Sequence, residues 1–400
     1  MIADYYISSP GRADHTDIAP LFPAGTQAVA ESLNIISAWP GYKFTSLLNL
    51  SGAAKHIGVA EVYYKQEAER FGLNSFKALG GAYAVCRVLM QAIASKTGTF
   101  PPVSDILEGK YKNITEQIVV CCATDGNHGR SVAWGAQKLG CRSVIYIHET
   151  VSENRGKAIA AFGAEVIRTK GNYDDAVRYA GQQAEQNGWT VVSDTSYEGY
   201  TEIPGWIMQG YGVIAAETIE QLNGIRPTHV FLQAGVGGFA AAILSYLADY
   251  YGAEAPHVII TEPSEAACIL KSARAGHYES VTGELDTIMA GLACGEPSGI
   301  ALPELLAGSS AFVAITDESV KEAMRGLARG YNGDAPVTAG ESGVAGFATL
   351  LTIMTEQSEA AEKLRQALTL GPDSRVLLIG TEGDTDPDLY RHIISGADHG

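Results

Sequence analysis

The sequence is short of charge, of paired cysteines and of long apolar runs. Charged residues fill 18% of its 400 positions, and Lys plus Arg reach 28 against 45 for Asp plus Glu, a net charge of −17. No basic cluster interrupts that balance, so a nucleic-acid partner, which needs phosphates neutralised, is not expected. No uninterrupted apolar segment approaches the roughly 18 residues of a membrane-spanning helix, and no signal-type apolar run opens the chain. The expectation is a soluble cytoplasmic protein with no membrane partner. The six cysteines, at 86, 121, 122, 141, 268 and 294, form no CxxC pair and no ligand spacing with His, so no metal is expected. They read as small buried hydrophobes, with a bridge between Cys268 and Cys294 left open.

What the chain has instead is apolar content, 46%, and 45 glycines. The first suffices for a large core in two lobes, and the second suits many tight strand-to-helix turns. Residues 1 to 45, with Pro10, Pro20, Pro23 and Pro40, read as an arm wrapped over the surface or a partner subunit. Short apolar runs then recur at 62–65, 117–123, 143–148, 165–169, 190–193, 228–233, 257–261, 311–316 and 375–380, with helical patterns between most of them. Continuous apolar strands separated by helices specify the α/β class, with mostly parallel sheet covered on both faces. Spacing suggests a smaller lobe at 82–170 inserted into a larger one made of 1–81 and 171–400.

One lysine stands where the pattern changes. Asn74-Ser75-Phe76-Lys77-Ala78-Leu79-Gly80-Gly81 follows a strand, and apolar residues at 79, 82, 83, 86, 89 and 90 continue it at helical spacing. Lys77 at a helix N-terminus faces the positive end of the dipole, which favours a free amine able to form a Schiff base with an aldehyde cofactor.

In α/β sheets, ligands collect at the carboxyl ends of strands. Four ends carry polar residues. Thr124-Asp125-Gly126-Asn127-His128-Gly129 is either an anion-binding nest or a tight turn with Asp125 as its cap. Ser193-Asp194-Thr195 offers a carboxylate or a cap, and Gly235-Val236-Gly237-Gly238 is a phosphate-binding arrangement. Thr381, after the last strand, presents a hydroxyl. Gly235, Gly237 and Ala240 also fit a dinucleotide fingerprint, with Glu262 as its ribose partner, and the loop by itself does not separate the two. A cleft lysine preceding the Asn-bearing turn favours the smaller phosphorylated cofactor. His128 reads as a packed, hydrogen-bonding residue, and Tyr173, Asp174 and Asp175 as a helix start.

Taken in order, Ser75-Phe76-Lys77, the Thr124-to-Gly129 turn and the Gly235-to-Gly238 loop resemble the fold-type-II pyridoxal-phosphate enzymes of the tryptophan-synthase β-subunit type. Phe71-Gly72-Leu73-Asn74, Asp194-Thr195 with Glu198-Gly199-Tyr200, and Trp206-Ile207-Met208-Gln209-Gly210-Tyr211 narrow the resemblance to the diaminopropionate ammonia-lyases. So do Met289-Ala290-Gly291-Leu292, Gly340-Glu341-Ser342-Gly343 and Thr381-Glu382-Gly383-Asp384. The resemblance runs over about residues 40 to 390.

It implies that Lys77 holds pyridoxal 5′-phosphate, that Gly235, Val236, Gly237 and Gly238 cradle its phosphate, and that Asn127 bonds its phenolic oxygen. Thr381 would face the pyridine nitrogen, where a hydroxyl makes a weaker electron sink than a carboxylate and so favours prompt elimination. Thr124, Asp125, Asp194 and Ser342 would meet the substrate, with Glu341 close by. Related dehydratases carry Ser where Asp125 stands. A carboxylate there suits a β-ammonium leaving group, and Lys77 and Asp125 would serve as bases on opposite faces of Cα for the two enantiomers. The implied reaction releases pyruvate and two ammonia from D- or L-2,3-diaminopropionate. The alternative is a dehydratase-like eliminase or β-replacement enzyme acting on another β-substituted amino acid. The family also implies a homodimer.

Overall fold

The computed structural model describes residues 1–8, 25–124, 126–149, 151–171 and 173–396. Its strands are β1 (Ile2–Ile7), β2 (Leu47–Asn49), β3 (Glu61–Gln66), β4 (Val119–Thr124), β5 (Arg142–His148), β6 (Glu165–Thr169), β7 (Thr190–Val191), β8 (His229–Gln233), β9 (His257–Pro263), β10 (Ala311–Ile315) and β11 (Arg375–Gly380). They form two sheets. The larger has the order β1-β10-β9-β8-β11-β3-β2 and the smaller β6-β5-β4-β7. Every pairing in the smaller sheet is parallel. In the larger one only the edge strands β1 and β2 run antiparallel. The α/β expectation holds, and each apolar run lies on a strand. The fourth strand of the smaller sheet lies past residue 170.

Why the central strands are mostly apolar is visible in their side-chain alternation. Val230, Leu232, Val258, Ile260, Leu377 and Ile379 enter one core with the helices Ala78–Thr97, Glu202–Leu222 and Gly238–Tyr251. Phe231, Ile259, Val376 and Leu378 enter another with the helix Ala345–Thr355 on the opposite face. Successive residues point to opposite sides of a strand, so a strand roofed on both faces has no solvent-facing side. Each such Val, Ile or Leu contributes roughly 1.5–3 kcal/mol by leaving water. The smaller sheet repeats the device, with Cys121 and Tyr146 facing Ala176, Ala180 and Ala184 while Cys122 and Ile145 join the main core.

The expected N-terminal arm is corrected by two elements. Ile2–Ile7 is an edge strand paired with β10, Tyr5 standing opposite Val313. Thr26–Ile36 is a helix with Val29 and Ile36 fully buried. The prolines obscured both, and Pro10, Pro20 and Pro23 lie outside the described residues. Among the described residues one helix, Ala78–Thr97, is long and apolar enough to cross a bilayer, but 67% of that stretch is buried inside the protein. Its apolar surface is core.

A charged cluster with almost no exposure locks the stretch leading to Lys77. Lys65 Nζ lies 2.8 Å from Glu217 Oε2, and Arg70 Nη2 lies 2.8 Å from both Glu67 Oε1 and Glu217 Oε2. Thr45 donates its hydroxyl to Glu67, and Lys65 donates to Gln221. Buried charges persist only when paired and hydrogen-bonded in this way. The cluster ties the end of β3 to the helix Glu202–Leu222.

Candidate active site

Lys77 is placed by backbone bonds reaching from the far end of the chain. Phe76 N–H donates to Thr381 O at 3.0 Å, and Gly383 N–H donates to Asn74 O at 3.0 Å. Ser75 also forms an antiparallel bridge with Glu382. The approach to Lys77 is thereby clamped to the end of β11, and Lys77 occupies the cap position of the helix Ala78–Thr97. One expectation is revised here. Lys77 Nζ stands 2.6 Å from Asp194 Oδ2, and this contact favours the ammonium against the helix dipole.

Asp194 follows β7, and Tyr200 fixes its approach by accepting Ser193 N–H at 2.9 Å and donating to Val191 O at 2.9 Å. Burial pushes the Asp194 carboxyl up, but the charge of Lys77, the field of His128 and the Lys77 hydrogen bond outweigh it and hold the group well below the usual carboxylate range. His128 Nε2 lies 2.7 Å from Val192 O and must carry the proton there, because a carbonyl only accepts. Its Nδ1 faces Asp194 Oδ2 at 3.7 Å. The expected packed, hydrogen-bonding role for His128 is observed, and it brings the ring to the Asp194 carboxylate.

The glycine loop leads from β8 into the helix Gly238–Tyr251, whose cap residue Gly237 has φ +94° and supplies no side-chain cap. A Cβ at Gly237 would meet Leu305 at 2.8 Å and Ile269 at 2.9 Å, in a backbone conformation that L side chains rarely adopt. With no side chain capping it, the first turn offers its N–H groups to an anion. Glu262 is not available as a ribose partner. It is buried and accepts Ile269 N–H at 2.8 Å and Leu270 N–H at 2.7 Å, capping the helix Cys268–Ala275. None of the six cysteines is in a disulfide. Cys268 donates to Gly235 O, and a Cβ on Gly235 would stand 3.1 Å from Cys294 Sγ, so both flank the loop.

Thr381 is 4% exposed, and its Oγ1 accepts Gln233 Nε2 at 2.8 Å. That bond leaves the hydroxyl proton to donate elsewhere. Asn127 opens the helix Asn127–Leu139 and donates from Nδ2 to Glu382 Oε2 at 2.6 Å, while the other oxygen of Glu382 accepts Ser342 N–H at 3.0 Å. Thr124 accepts both Gly126 N–H and Gly129 N–H at 3.0 Å, so its oxygen shapes the turn. Ser342 Oγ accepts Gly291 N–H at 3.1 Å. Asp125 lies outside the described residues.

Two residues of this site, Glu382 and Tyr211, were missed by sequence reasoning, and Glu341 was expected only to stand close by. Glu382 was passed over behind Thr381, although it orients Asn127 across 255 positions. Glu341 is 1% exposed with neither carboxylate oxygen hydrogen-bonded, and burial, then the charge of Glu382, pushes it up to about 8. Tyr211 was noted only within a motif. Its ring packs 4.6 Å from that of Phe76, with Lys77 Nζ 5.8 Å from its centroid. No local signal marks Glu382 or Tyr211. Among the described residues no group of His, Cys, Asp and Glu could hold a metal.

A lysine ion-paired at a helix start, opposite an anion cradle at the carboxyl ends of parallel strands, defines a site for a phosphorylated aldehyde cofactor. The model of the pyridoxal-phosphate dependent enzymes matches residues 38–382, and the chain belongs to that family. Diaminopropionate ammonia-lyase of Escherichia coli K12 is 41% identical over 385 residues, covering 96% of this chain and 94% of that one. The Salmonella typhimurium LT2 protein of the same name is 41% identical over 361 residues, covering 89% of each. The crystal structure of holo diaminopropionate ammonia lyase from Escherichia coli superposes with a TM-score of 0.89 at 40% identity, covering 98% of this chain and 97% of that one. Within the larger family, the chain is a member of the diaminopropionate ammonia-lyase group. Its cofactor is pyridoxal 5′-phosphate, and the uncapped glycine turn and the Lys77 amine fit the phosphate and the aldehyde.

Proposed function

We propose that this enzyme eliminates ammonia from D- and L-2,3-diaminopropionate, yielding pyruvate and a second ammonia. One observation carries the reading. Asp194, paired with Lys77, lies against the glycine loop, a Cβ on Gly238 standing 3.7 Å from Asp194 O, in a chain that matches the diaminopropionate ammonia-lyases along 96% of its length. Bound pyridoxal phosphate supplies the electron sink that acidifies the substrate Cα proton.

The chain's own residues do the rest. Lys77 would hold the cofactor aldehyde, and its amine, freed once the substrate amine took its place there, would take the Cα proton from one face. Asp125 serves the opposite face and pairs with the β-ammonium that leaves. Asp194, kept ionised by its surroundings, receives a substrate ammonium in place of that of Lys77. Gly235, Val236, Gly237 and Gly238 bind the phosphate through backbone N–H groups. Asn127, aimed by Glu382, has a second N–H to offer the phenolic oxygen. Thr381 donates its free proton toward the pyridine nitrogen, while Thr124 and Ser342 brace the turns around the substrate.

The smaller lobe is assigned to 82–170, its sheet completed by Thr190–Val191, and closure of the two lobes excludes water from the site. A cytoplasmic homodimer completes the proposal, and a monomeric mass in light scattering would remove the dimer. The deciding assay follows pyruvate from DL-2,3-diaminopropionate, serine and threonine with the yellow holoenzyme. Fastest release from diaminopropionate supports the reading. A yellow protein that prefers serine or threonine would make it a dehydratase.

A further inference from the structure

Tyr211 carries an observation that the roles above do not use. It lies on the helix Glu202–Leu222 and is 1% exposed, yet its hydroxyl has no hydrogen-bond partner. A buried hydroxyl left unmet is a standing cost to the fold, so its persistence points to a partner met during the reaction. The ring cannot turn away to find one elsewhere. It is wedged between Phe76, at 4.6 Å, and Phe239, at 6.4 Å between centroids.

Its third wall is Gly80, in the first turn of the helix that Lys77 caps. A Cβ there would stand 2.5 Å from Tyr211 Cε1 and 2.7 Å from Cζ. A Cβ on the neighbouring Gly210 would meet Leu79 O at 1.9 Å. The two helices touch backbone to backbone, and this contact delivers the phenol to the Lys77 turn. Lys77 Nζ is 5.8 Å from the ring centroid, near enough for its charge and a long contact to be felt at the hydroxyl.

We propose that Tyr211 is the second partner of Lys77, a positioning residue that holds the amine when it leaves Asp194 to take the Cα proton of one enantiomer. The inference rests on the function proposed above. Asp194 suits the ammonium only, so an amine kept against it is a poor base. A hydroxyl oxygen accepts an N–H from the free amine and from the ammonium alike, and so holds Lys77 on either side of the proton transfer while its lone pair stays available to Cα. In that step the Cα–H bond breaks and its proton passes to Nζ. Burial, above all, pushes the Tyr211 phenol above its ordinary range, so it stays neutral throughout.

The test is Tyr211→Phe in the holoenzyme, which removes one oxygen. Solvent-deuterium exchange at Cα of L- and D-alanine, which lack a leaving group, reads proton transfer independently of elimination. Exchange of one isomer, the one whose proton Lys77 takes, is expected to slow about tenfold with KM within about twofold, and that of the other isomer to change less than about twofold. Pyridoxal-phosphate affinity should hold, and the melting temperature should stay at or above wild type, because an unmet hydroxyl is gone. Equal slowing of both isomers, or of neither, overturns the proposal. So does a lower melting temperature or an about tenfold weaker cofactor affinity, which would make the hydroxyl structural or a phosphate ligand. The expected selective slowing, with a wild-type enzyme that exchanges alanine but forms no pyruvate from diaminopropionate, would instead defeat the function reading and leave Tyr211 in place.

Discussion

Replacing Glu341 with Gln should stabilise this protein, and by more as the pH rises. The carboxyl is 1% exposed, neither oxygen is hydrogen-bonded, and burial followed by the charge of Glu382 pushes it from an ordinary 4.5 up to about 8. Because the folded state holds this proton more tightly than the unfolded one, its contribution to stability is fully present below 4.5 and is lost as pH rises toward 8. Each pH unit inside that window costs about 1.4 kcal/mol. Gln has nearly the same shape and no proton to lose, so its stability is flat across the window. Between about pH 5 and about pH 7.5 the variant should therefore gain about 3 kcal/mol relative to wild type. Any fixed penalty for the amide cancels between the two conditions. Denaturant midpoints of both proteins at both pH values measure the difference. A gap that is the same at the two pH values would refute the assignment of an unpartnered, proton-retaining carboxyl.

Other expectations follow from named contacts. Lys77→Ala should lose the visible absorbance of bound cofactor and reduce pyruvate formation by about a thousandfold or more. A yellow, active variant would remove Lys77 from its role. Glu217→Ala leaves Lys65 and Arg70 buried without a shared carboxylate, which should cost about 3–5 kcal/mol in denaturation. A loss below about 1 kcal/mol would mean that water enters the cluster and screens it.

Much of the site was legible because its residues sit where the pattern switches from strand to helix. Lys77, Asp194, Gly235 to Gly238 and Thr381 each follow an apolar run, and the doubly covered sheet makes those runs continuous. Asp194 was read as a cap or a carboxylate. The structure puts it 2.6 Å from Lys77. Glu262 went the other way, since a local spacing suggested a ribose ligand and the fold made it a helix cap. The N-terminal strand was illegible because half of its pattern belongs to its partner, β10.

Alone, the sequence determined the class of fold, the order of the central strands along the chain, and the residue types waiting at their ends. Those properties depend on periodicities of two and 3.6 residues, which are local. Only the tertiary structure decided which ends meet. Asn127 joins Glu382 across 255 positions, Lys77 joins Asp194 across 117, and Tyr211 reaches the Lys77 turn because glycines let two helices touch. Strand order and helix contact distance set these meetings. The unmet hydroxyl of Tyr211 and the unpaired carboxyl of Glu341 exist only after burial, because an orphaned group is defined by the neighbours it lacks.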